Sequence, residues 1–327
     1  MTGARGPSRI QSQQKNRCQM KPTVFIHTNA KQIIGALVAQ YALRKNAARP
    51  ESFDVQIIKA EEFDFLSRRE GQYYLREGRR ALWTCNDLQS FTPLRFKVPE
   101  LMNYGGRAVV TDPDVFAVGD IEELLHRDME GKAIHARRMP ESHRRPAHYA
   151  SSVMLLDCGQ LHHWRAEQQF GELFEFRRDY RDWMWLLGEP EGTIGELGEA
   201  WNHFDTLDAH TKLLHNTHRR TQPWKTGLPA DFTPRGTTTS SLMGIWSRRV
   251  RRMLSASKTP SHGYYQPHPD PRQEAFFFGL LQECLEAGIV TETMLRDEID
   301  RSHVRADAFE LVAKSRQQLP HSGFASA

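Results

Sequence analysis

The stretch RAVVTDPDVFAVGD, residues 107–120, joins a short apolar run to two carboxylates. Residues 107–111 have the β-branched, apolar character of a buried strand, and Asp112 and Asp114 follow directly. In an open α/β sheet, ligands bind in the crevice beyond the carboxyl ends of the strands. Two carboxylates placed there suit a hard divalent cation, Mn²⁺ or Mg²⁺, with open positions for phosphate oxygens. Because Asp-Pro-Asp is also good turn chemistry, a plain turn is the alternative interpretation.

The segments around this stretch predict an α/β fold. An apolar run at 23–27, apolar residues at helical spacing over 34–41 and a second apolar run at 55–58 indicate strand, helix and strand. That order favours a central, mostly parallel mixed sheet flanked by helices, with a small helical region at the C-terminus. Further strands are expected at 132–136 and 152–156, and further helices from Asp120, within 163–187, over 271–287 and near 292–316.

Composition along the chain suggests three parts. Residues 1–20 are rich in Gln, Arg, Gly and Ser, and we expect a disordered leader there. Residues 21–230 hold the α/β pattern. Because glycines, prolines and a Thr/Ser run mark 226–241 as a loop, residues 231–327 are expected to be a linker and a helical C-terminal region.

Composition also argues against several protein classes. Of 327 residues, 39% are hydrophobic and 26% are charged, which is typical of a globular protein. No window approaches 18 consecutive apolar residues, so no membrane-spanning helix is expected. The four cysteines lie far apart without a CxxC pair, which argues against a disulfide framework and favours a cytoplasmic location. A net charge of +4 is small for a nucleic-acid-binding protein, so no nucleic-acid partner is expected.

A second polar segment, KLLHNTHRRTQPW at 212–224, offers a third metal ligand. His215 follows an apolar pair and can supply a nitrogen beside two carboxylates, although a packed, hydrogen-bonded histidine is the alternative. The cations Arg219, Arg220 and Lys225 could neutralise a diphosphate. A hydrolase metal site among the neighbouring histidines is disfavoured because no HExxH motif is present.

Taken in order along residues 23–225, these segments resemble glycosyltransferase family 8. That family has a GT-A fold and includes glycogenin-like enzymes and bacterial lipopolysaccharide glycosyltransferases. The segments that carry the resemblance are VFIHTN at 24–29 (the nucleotide-binding strand and loop), FTPLRFKVPEL at 91–101 (the helix whose basic residue touches the donor), DPD at 112–114 (the DxD metal motif), SSVMLLD at 151–157 (the following strand), Trp201-Asn202, and His215 with Pro223-Trp224.

The resemblance implies a metal-dependent glycosyltransferase that uses a nucleotide sugar, a UDP-sugar, and retains the anomeric configuration. Asp182 matches the family's Asp-Gln pair and is the candidate catalytic residue near the acceptor, whose identity the sequence leaves open. The implied donor-binding residues are Thr28, Asn29, Arg95, Asp112, Gln222 and Lys225, and the implied ligands of Mn²⁺ or Mg²⁺ are Asp112, Asp114 and His215.

Two departures from the family pattern keep a second hypothesis open. Gln222 stands where many members have a diphosphate-binding lysine, and Ala150 stands where an asparagine touches the sugar. The alternative is therefore a catalytically silent relative that acts as a binding or scaffold protein.

Two basic segments suggest contacts with anionic partners. Residues 135–148 carry four arginines and three histidines, which could clamp an anionic acceptor or form a solvated loop. Residues 242–254 predict a basic amphipathic helix, which could lie at an anionic membrane surface or pack on the main domain. The expected location thus includes peripheral contact with the inner face of a membrane.

Overall fold

The structure is a computed structural model that describes residues 20–143, 145–232 and 263–318. Residues 1–19 of the predicted leader, residues 233–241 of the predicted linker and the predicted basic helix at 242–254 lie outside this range. The cytoplasmic location and the membrane contact through 242–254 stay predictions. Within the described ranges, every helix is too short or too polar to cross a membrane.

A six-stranded mixed sheet forms the centre of the molecule, in the order β2 (Asp54–Lys59), β1 (Thr23–Thr28), β5 (Arg107–Thr111), β8 (His148–Asp157), β7 (Ile134–Met139) and β9 (Ile194–Glu196). Three of its pairings are parallel (β1–β2, β1–β5 and β7–β9), and β8 runs antiparallel to both β5 and β7. The predicted fold class, a mostly parallel mixed sheet flanked by helices, is confirmed. The other strands are β3 (Tyr73–Arg76), β4 (Arg79–Leu82), β6 (Val115–Ala117), β10 (His203–Phe204) and β11 (Leu213–His215).

Helices cover the sheet on both faces. One core lies between the sheet and the first and last helical regions, and a second lies on the opposite face, around buried Phe96, Trp164 and Trp183. The helices are α1 (Ile33–Lys45), α2 (Asp64–Ser67), α3 (Val98–Leu101), α4 (Glu122–Leu125), α5 (Ala166–Phe174), α6 (Tyr180–Met184), α7 (Pro271–Glu286), α8 (Glu292–Asp300) and α9 (Ala308–Gln318).

A small sheet, β10-β11-β6, stands beside the central one and positions the polar residues that the sequence singled out. Strand β6 begins directly after Asp114, and it pairs antiparallel with β11 so that Val115 lies opposite His215. A short ladder thereby brings together two chain segments about a hundred residues apart.

The predicted helical stretches differ from the observed ones mainly at breaks. The stretch near 292–316 consists of α8 and α9, separated at Ser302, whose backbone is left-handed with φ +60°. The stretch 163–187 is likewise divided into α5 and α6 by Phe176, at φ +58°. Apolar periodicity continues across both turns, so the pattern did not reveal the breaks.

The C-terminal helices share the core of the α/β unit. Phe277 of α7 is fully buried and stacks on Trp224, with ring centroids 4.6 Å apart. The same ring meets the edge of Phe116 at 5.5 Å. Helix α7 therefore buries its apolar face against the segment that carries the site.

We expect Phe277→Ala to lower the free energy of unfolding by about 3–5 kcal/mol, because it leaves a cavity between α7 and the sheet. Urea unfolding followed by circular dichroism measures this loss. The half-buried neighbour Phe276 is the matched control, and Phe276→Ala should cost clearly less. Equal losses in the two variants would contradict the shared core.

Candidate metal centre and ligand cleft

Three side chains from two distant segments meet beyond the carboxyl end of β5. Asp112 follows β5 directly, Asp114 precedes β6, and His215 ends β11. One ligand atom from each lies within 4.8 Å of the other two. The structure therefore assembles the predicted trio, and its two carboxylates and one imidazole match the ligands that Mn²⁺ and Mg²⁺ accept.

Asp112 is held by two partners in a nearly buried position. Arg95 Nη2 lies 2.7 Å from Oδ1 and 2.5 Å from Oδ2, and His27 Nε2 lies 2.6 Å from Oδ1. Burial alone would raise the pKa of Asp112, but the charge of Arg95 and the hydrogen bond from His27 hold it well below its usual range. Burial lowers the pKa of His27, so its neutral ring donates from Nε2. Asp112 is therefore ionised at neutral pH.

Asp114 keeps one oxygen free for a ligand. Its Oδ2 accepts a hydrogen bond from Gln222 Nε2 at 2.9 Å. Its Oδ1 is buried, has no hydrogen-bond partner and lies 3.4 Å from His215 Nε2. A buried carboxylate oxygen without a partner is costly unless a cation or donor fills the space beside it, so this geometry fits a metal ion.

His215 is oriented by its other ring nitrogen. Nδ1 lies 2.7 Å from Asn202 Oδ1, an acceptor, so Nδ1 carries the proton and Nε2 faces the carboxylates. Asn202 is itself fixed, because its Nδ2 donates to Ser152 Oγ at 3.0 Å. Burial by itself would lower the pKa of His215, but the carboxylates of Asp114, Asp112 and Asp205 together raise it.

Gln222 acts on the site through Asp114. Besides donating to Asp114, it accepts a hydrogen bond from Gln32 Nε2 at 3.1 Å through its Oε1. The amide thus orients the carboxylate where a lysine at this position would supply charge. Gln32 keeps a buried Oε1 without a partner, and it lines the same cleft as Gln222.

A cleft of about 750 Å³ opens over the trio. Its lining combines the carboxylates with cationic side chains, a composition suited to an anionic ligand bridged by a metal. The arginines that line it are Arg76, Arg95, Arg145, Arg181 and Arg219.

Two of the predicted donor-binding residues lie under a loop instead of on the cleft. Thr28 and Asn29 are buried at the end of β1, and neither lines the cleft. Asn29 Nδ2 donates to the backbone oxygens of Asp87 and Leu88 and to Ser90 Oγ, at 3.0–3.3 Å. The side-chain amide of Asn29, which was expected to face the nucleotide, is thus hydrogen-bonded to this loop.

Two further predicted residues are engaged elsewhere. Lys225 is fully buried, and its Nζ lies 3.4 Å from Asp231 Oδ2, where burial lowers the pKa of the lysine. Asp182 is half-exposed on α6, with Oδ1 3.1 Å from Arg181 Nε. Neither lines the cleft, so a catalytic role for Asp182 stays a prediction.

The sequence reasoning missed two residues that support the trio. His27 lies inside the apolar run of β1, and its polar character amid buried neighbours was the available signal. Gln273 of α7 gave no signal, because it lies outside the motif series. It is fully buried, accepts a hydrogen bond from Asn216 Nδ2 at 2.6 Å and donates to the backbone oxygen of Asp205 at 2.7 Å. Asn216 in turn donates its backbone N–H to the backbone carbonyl oxygen of Asp114 at 3.0 Å.

Solved glycosyltransferase structures share features of this fold. Glycosyltransferase GlyE from Streptococcus pneumoniae TIGR4 is 13% identical, and the match covers 82% of this chain and 64% of that one, with a TM-score of 0.44. This chain thus spans just under two thirds of GlyE. Galactosyltransferase LgtC, solved with donor and acceptor sugar analogs, is 14% identical over 62% of this chain and 89% of that one, with a TM-score of 0.44. Mouse xyloside xylosyltransferase 1 is 15% identical over 60% of this chain and 97% of that one, with a TM-score of 0.40.

Comparison of the sequence with protein-family models and with curated proteins gave no match.

Removing the partner of His215 should weaken metal binding. We expect Asn202→Ala to reduce Mn²⁺ affinity about 10–100-fold, because the imidazole loses the acceptor that fixes its tautomer and direction. Calorimetric titration with Mn²⁺ measures the change. Asn202→Asp keeps an acceptor for Nδ1–H and should retain more affinity than the alanine variant. Equal affinity in wild type and Asn202→Ala would contradict the assignment of His215 as a ligand.

Gln273 should support the trio from the C-terminal region. We expect Gln273→Ala to cost about 1–3 kcal/mol of stability, since it leaves buried polar groups at Asp205 and Asn216 without partners. The affinity for Mn²⁺ should also fall, and calorimetric titration of the folded variant measures this change. Gln282→Ala is the control, because Gln282 donates to Glu286 within α7. A Mn²⁺ affinity equal to the control's would contradict the coupling.

Proposed function

We propose that this chain is a metal-dependent glycosyltransferase that moves a sugar from a UDP-sugar donor to an acceptor with retention of configuration. The observation that carries the proposal is the convergence of Asp112, Asp114 and His215 Nε2 in a cleft lined by arginines. Two carboxylates and a histidine beside cationic side chains suit a cation that bridges a diphosphate. Retention follows from the family resemblance, and proton NMR of the first product tests it.

The chain's own residues have distinct roles in this scheme. Asp112, Asp114 and His215 would hold Mn²⁺ or Mg²⁺, which supplies Lewis-acid stabilisation of the charge on the leaving nucleoside diphosphate. Arg95 keeps Asp112 ionised and directed toward the cleft. Arg219 lines the cleft and is the residue we assign to the diphosphate, since Lys225 is buried against Asp231.

The second candidate is a silent relative that binds a ligand without turnover. The uncharged side chain of Gln222 favours this candidate, because its amide orients Asp114 but adds no positive charge to the cleft. Ala150, which also lines the cleft, likewise offers the sugar no hydrogen bond from its side chain.

A metal-dependent donor site predicts stabilisation by UDP only when Mn²⁺ is present. A ligand at one hundred times its dissociation constant adds about 2.7 kcal/mol to the stability of the native state, which thermal unfolding detects. We expect Asp114→Asn to abolish this stabilisation, because it replaces the carboxylate oxygen that faces His215. Asp64→Asn removes an exposed carboxylate on α2 and should respond like wild type.

The outcomes separate the two candidates. Mn²⁺-dependent UDP binding together with hydrolysis or transfer of a UDP-sugar supports the enzyme. Mn²⁺-dependent binding without turnover over a panel of UDP-sugars and acceptors supports the silent relative. A folded protein whose unfolding temperature no nucleotide or metal changes would overturn the donor site.

A further inference from the structure

One part of the cleft lining is rich in cationic and aromatic side chains that the proposed donor site does not use. We call it the basic end and define it by Arg76, Arg145, His148, Arg181 and Trp185, all of which line the cleft. These residues come from β3, from the segment before β8, from β8 itself and from the α6 region. The fold therefore gathers them from three chain segments: β3, residues 145–148, and α6 with the residue that follows it.

Arg76 is a half-buried cation without an ion-pair partner. Its guanidinium lies 5.0 Å from the centroid of the Tyr180 ring, and Nη1 donates to the Tyr74 hydroxyl at 3.3 Å. In the part of the chain that the structure describes, no carboxylate lies within ion-pair distance of Arg76. A partly desolvated guanidinium with donors to spare is a ready partner for an oxyanion.

Arg145 is a second arginine of this kind. It is exposed and lines the cleft, and no carboxylate of ranges 20–143, 145–232 and 263–318 pairs with it. Burial lowers the pKa of neighbouring His148, and the charge of Arg145 lowers it further. His148 is therefore neutral, and its ring lines the basic end without adding charge to it.

The rings of His148 and Trp185 stack on each other, which restricts the movement of this part of the cleft lining. Their centroids are 4.0 Å apart with an angle of 20° between the planes, and Arg181 Cζ lies 5.0 Å from the Trp185 centroid. Arg181 is paired with Asp182, whereas Glu77, an exposed carboxylate that also lines the cleft, makes no ion pair with a described residue. Two arginines without a carboxylate partner among the described residues, Arg76 and Arg145, therefore lie beside one unpaired carboxylate and the Arg181–Asp182 pair.

The basic end adjoins Arg95, the arginine that holds Asp112 of the candidate metal-ligand trio. Arg95, which holds Asp112, donates from Nη1 to Ser151 Oγ at 2.9 Å and lies 3.8 Å from Met184 Sδ. Met184 is three residues along α6 from Arg181, which is about one helical turn. A molecule held at the basic end therefore approaches the trio from the side of α6.

We propose that the basic end binds a phosphate or carboxylate group carried by the acceptor sugar, with Arg76 and Arg145 as the specificity-determining residues. Arginine suits this task because its planar guanidinium can hold either oxyanion through two parallel hydrogen bonds. The proposal rests on the proposed function, since it names the class of acceptor that the transferase would use: an anionic saccharide.

The test is a calorimetric titration of full-length protein saturated with Mn²⁺ and UDP, so that the probe cannot occupy the diphosphate site. The probes are glucose 6-phosphate, glucuronate and glucose. We expect at least one of the anionic sugars to bind about tenfold more tightly than glucose or better, as charge-assisted hydrogen bonds predict. Tighter binding of glucose 6-phosphate identifies phosphate as the recognised group, and tighter binding of glucuronate identifies carboxylate.

Variants assign the effect to the two arginines. Arg145→Gln removes an exposed charge without disturbing the core, and Arg76→Gln removes the half-buried one. Each should weaken binding of the anionic sugar about tenfold and leave binding of glucose unchanged. Arg79→Gln is the matched control, because Arg79 is exposed on the same hairpin as Arg76 and does not line the cleft. It should change the affinity less than about twofold.

Equal affinity for glucose and both anionic sugars would overturn the proposal, as would an anion preference that survives in both arginine variants. A UDP titration with Mn²⁺ on each protein separates this failure from failure of the proposed function. Intact UDP binding without an anion preference leaves the donor site standing and overturns only the acceptor assignment. Absence of UDP binding in wild type overturns the proposed function; if both variants then still lose the anion preference, the basic end is an anion site without an acceptor role.

Discussion

The buried ion pair between Arg95 and Asp112 is the interaction on which the site depends. Both residues are more than nine-tenths buried, so removing Arg95 would leave an unpaired carboxylate at the end of β5. The pair also joins elements: His27 reaches it from β1, and Ser151 of β8 accepts a hydrogen bond from the same guanidinium. A carboxylate that faces a cation site stays ionised and aligned only because this arginine compensates its burial.

Neutral amides lie around the candidate metal-ligand trio and orient two of its members, His215 and Asp114. Asn202 directs His215, Gln222 directs Asp114, and Gln273 ties down Asn216, the residue after His215. Amides suit this task because each can donate and accept without adding charge to a site of low dielectric. One of the three comes from α7, so the C-terminal region contributes to the site as well as to the core.

The cleft divides chemically into two regions that meet at Arg95. On one side lie the trio, Gln222 and Arg219, which suit a metal-bound diphosphate. On the other lies the basic end, where Arg76 and Arg145 have no carboxylate partner among the described residues. Helix α6 connects the two, because Met184 contacts Arg95 while Arg181 faces the basic end. Separate anion-binding groups that converge on one centre would suit a reaction between two anionic substrates.

The sequence by itself determined the local elements and the nature of the candidate metal ligands. Strands β1, β2 and β5, helices α1 and α7, and the placement of Asp112 and Asp114 after β5 follow from apolar runs and their periods, which report burial over a few neighbouring residues. Tertiary structure alone decided which polar side chains face the cleft. It buried Lys225 against Asp231, engaged Asn29 with the loop at 87–90 and turned Asp182 toward Arg181. The physical reason is that the spacing of apolar residues depends only on nearby positions in the chain. The partner of a polar group, in contrast, comes from a distant segment that reaches it only after folding.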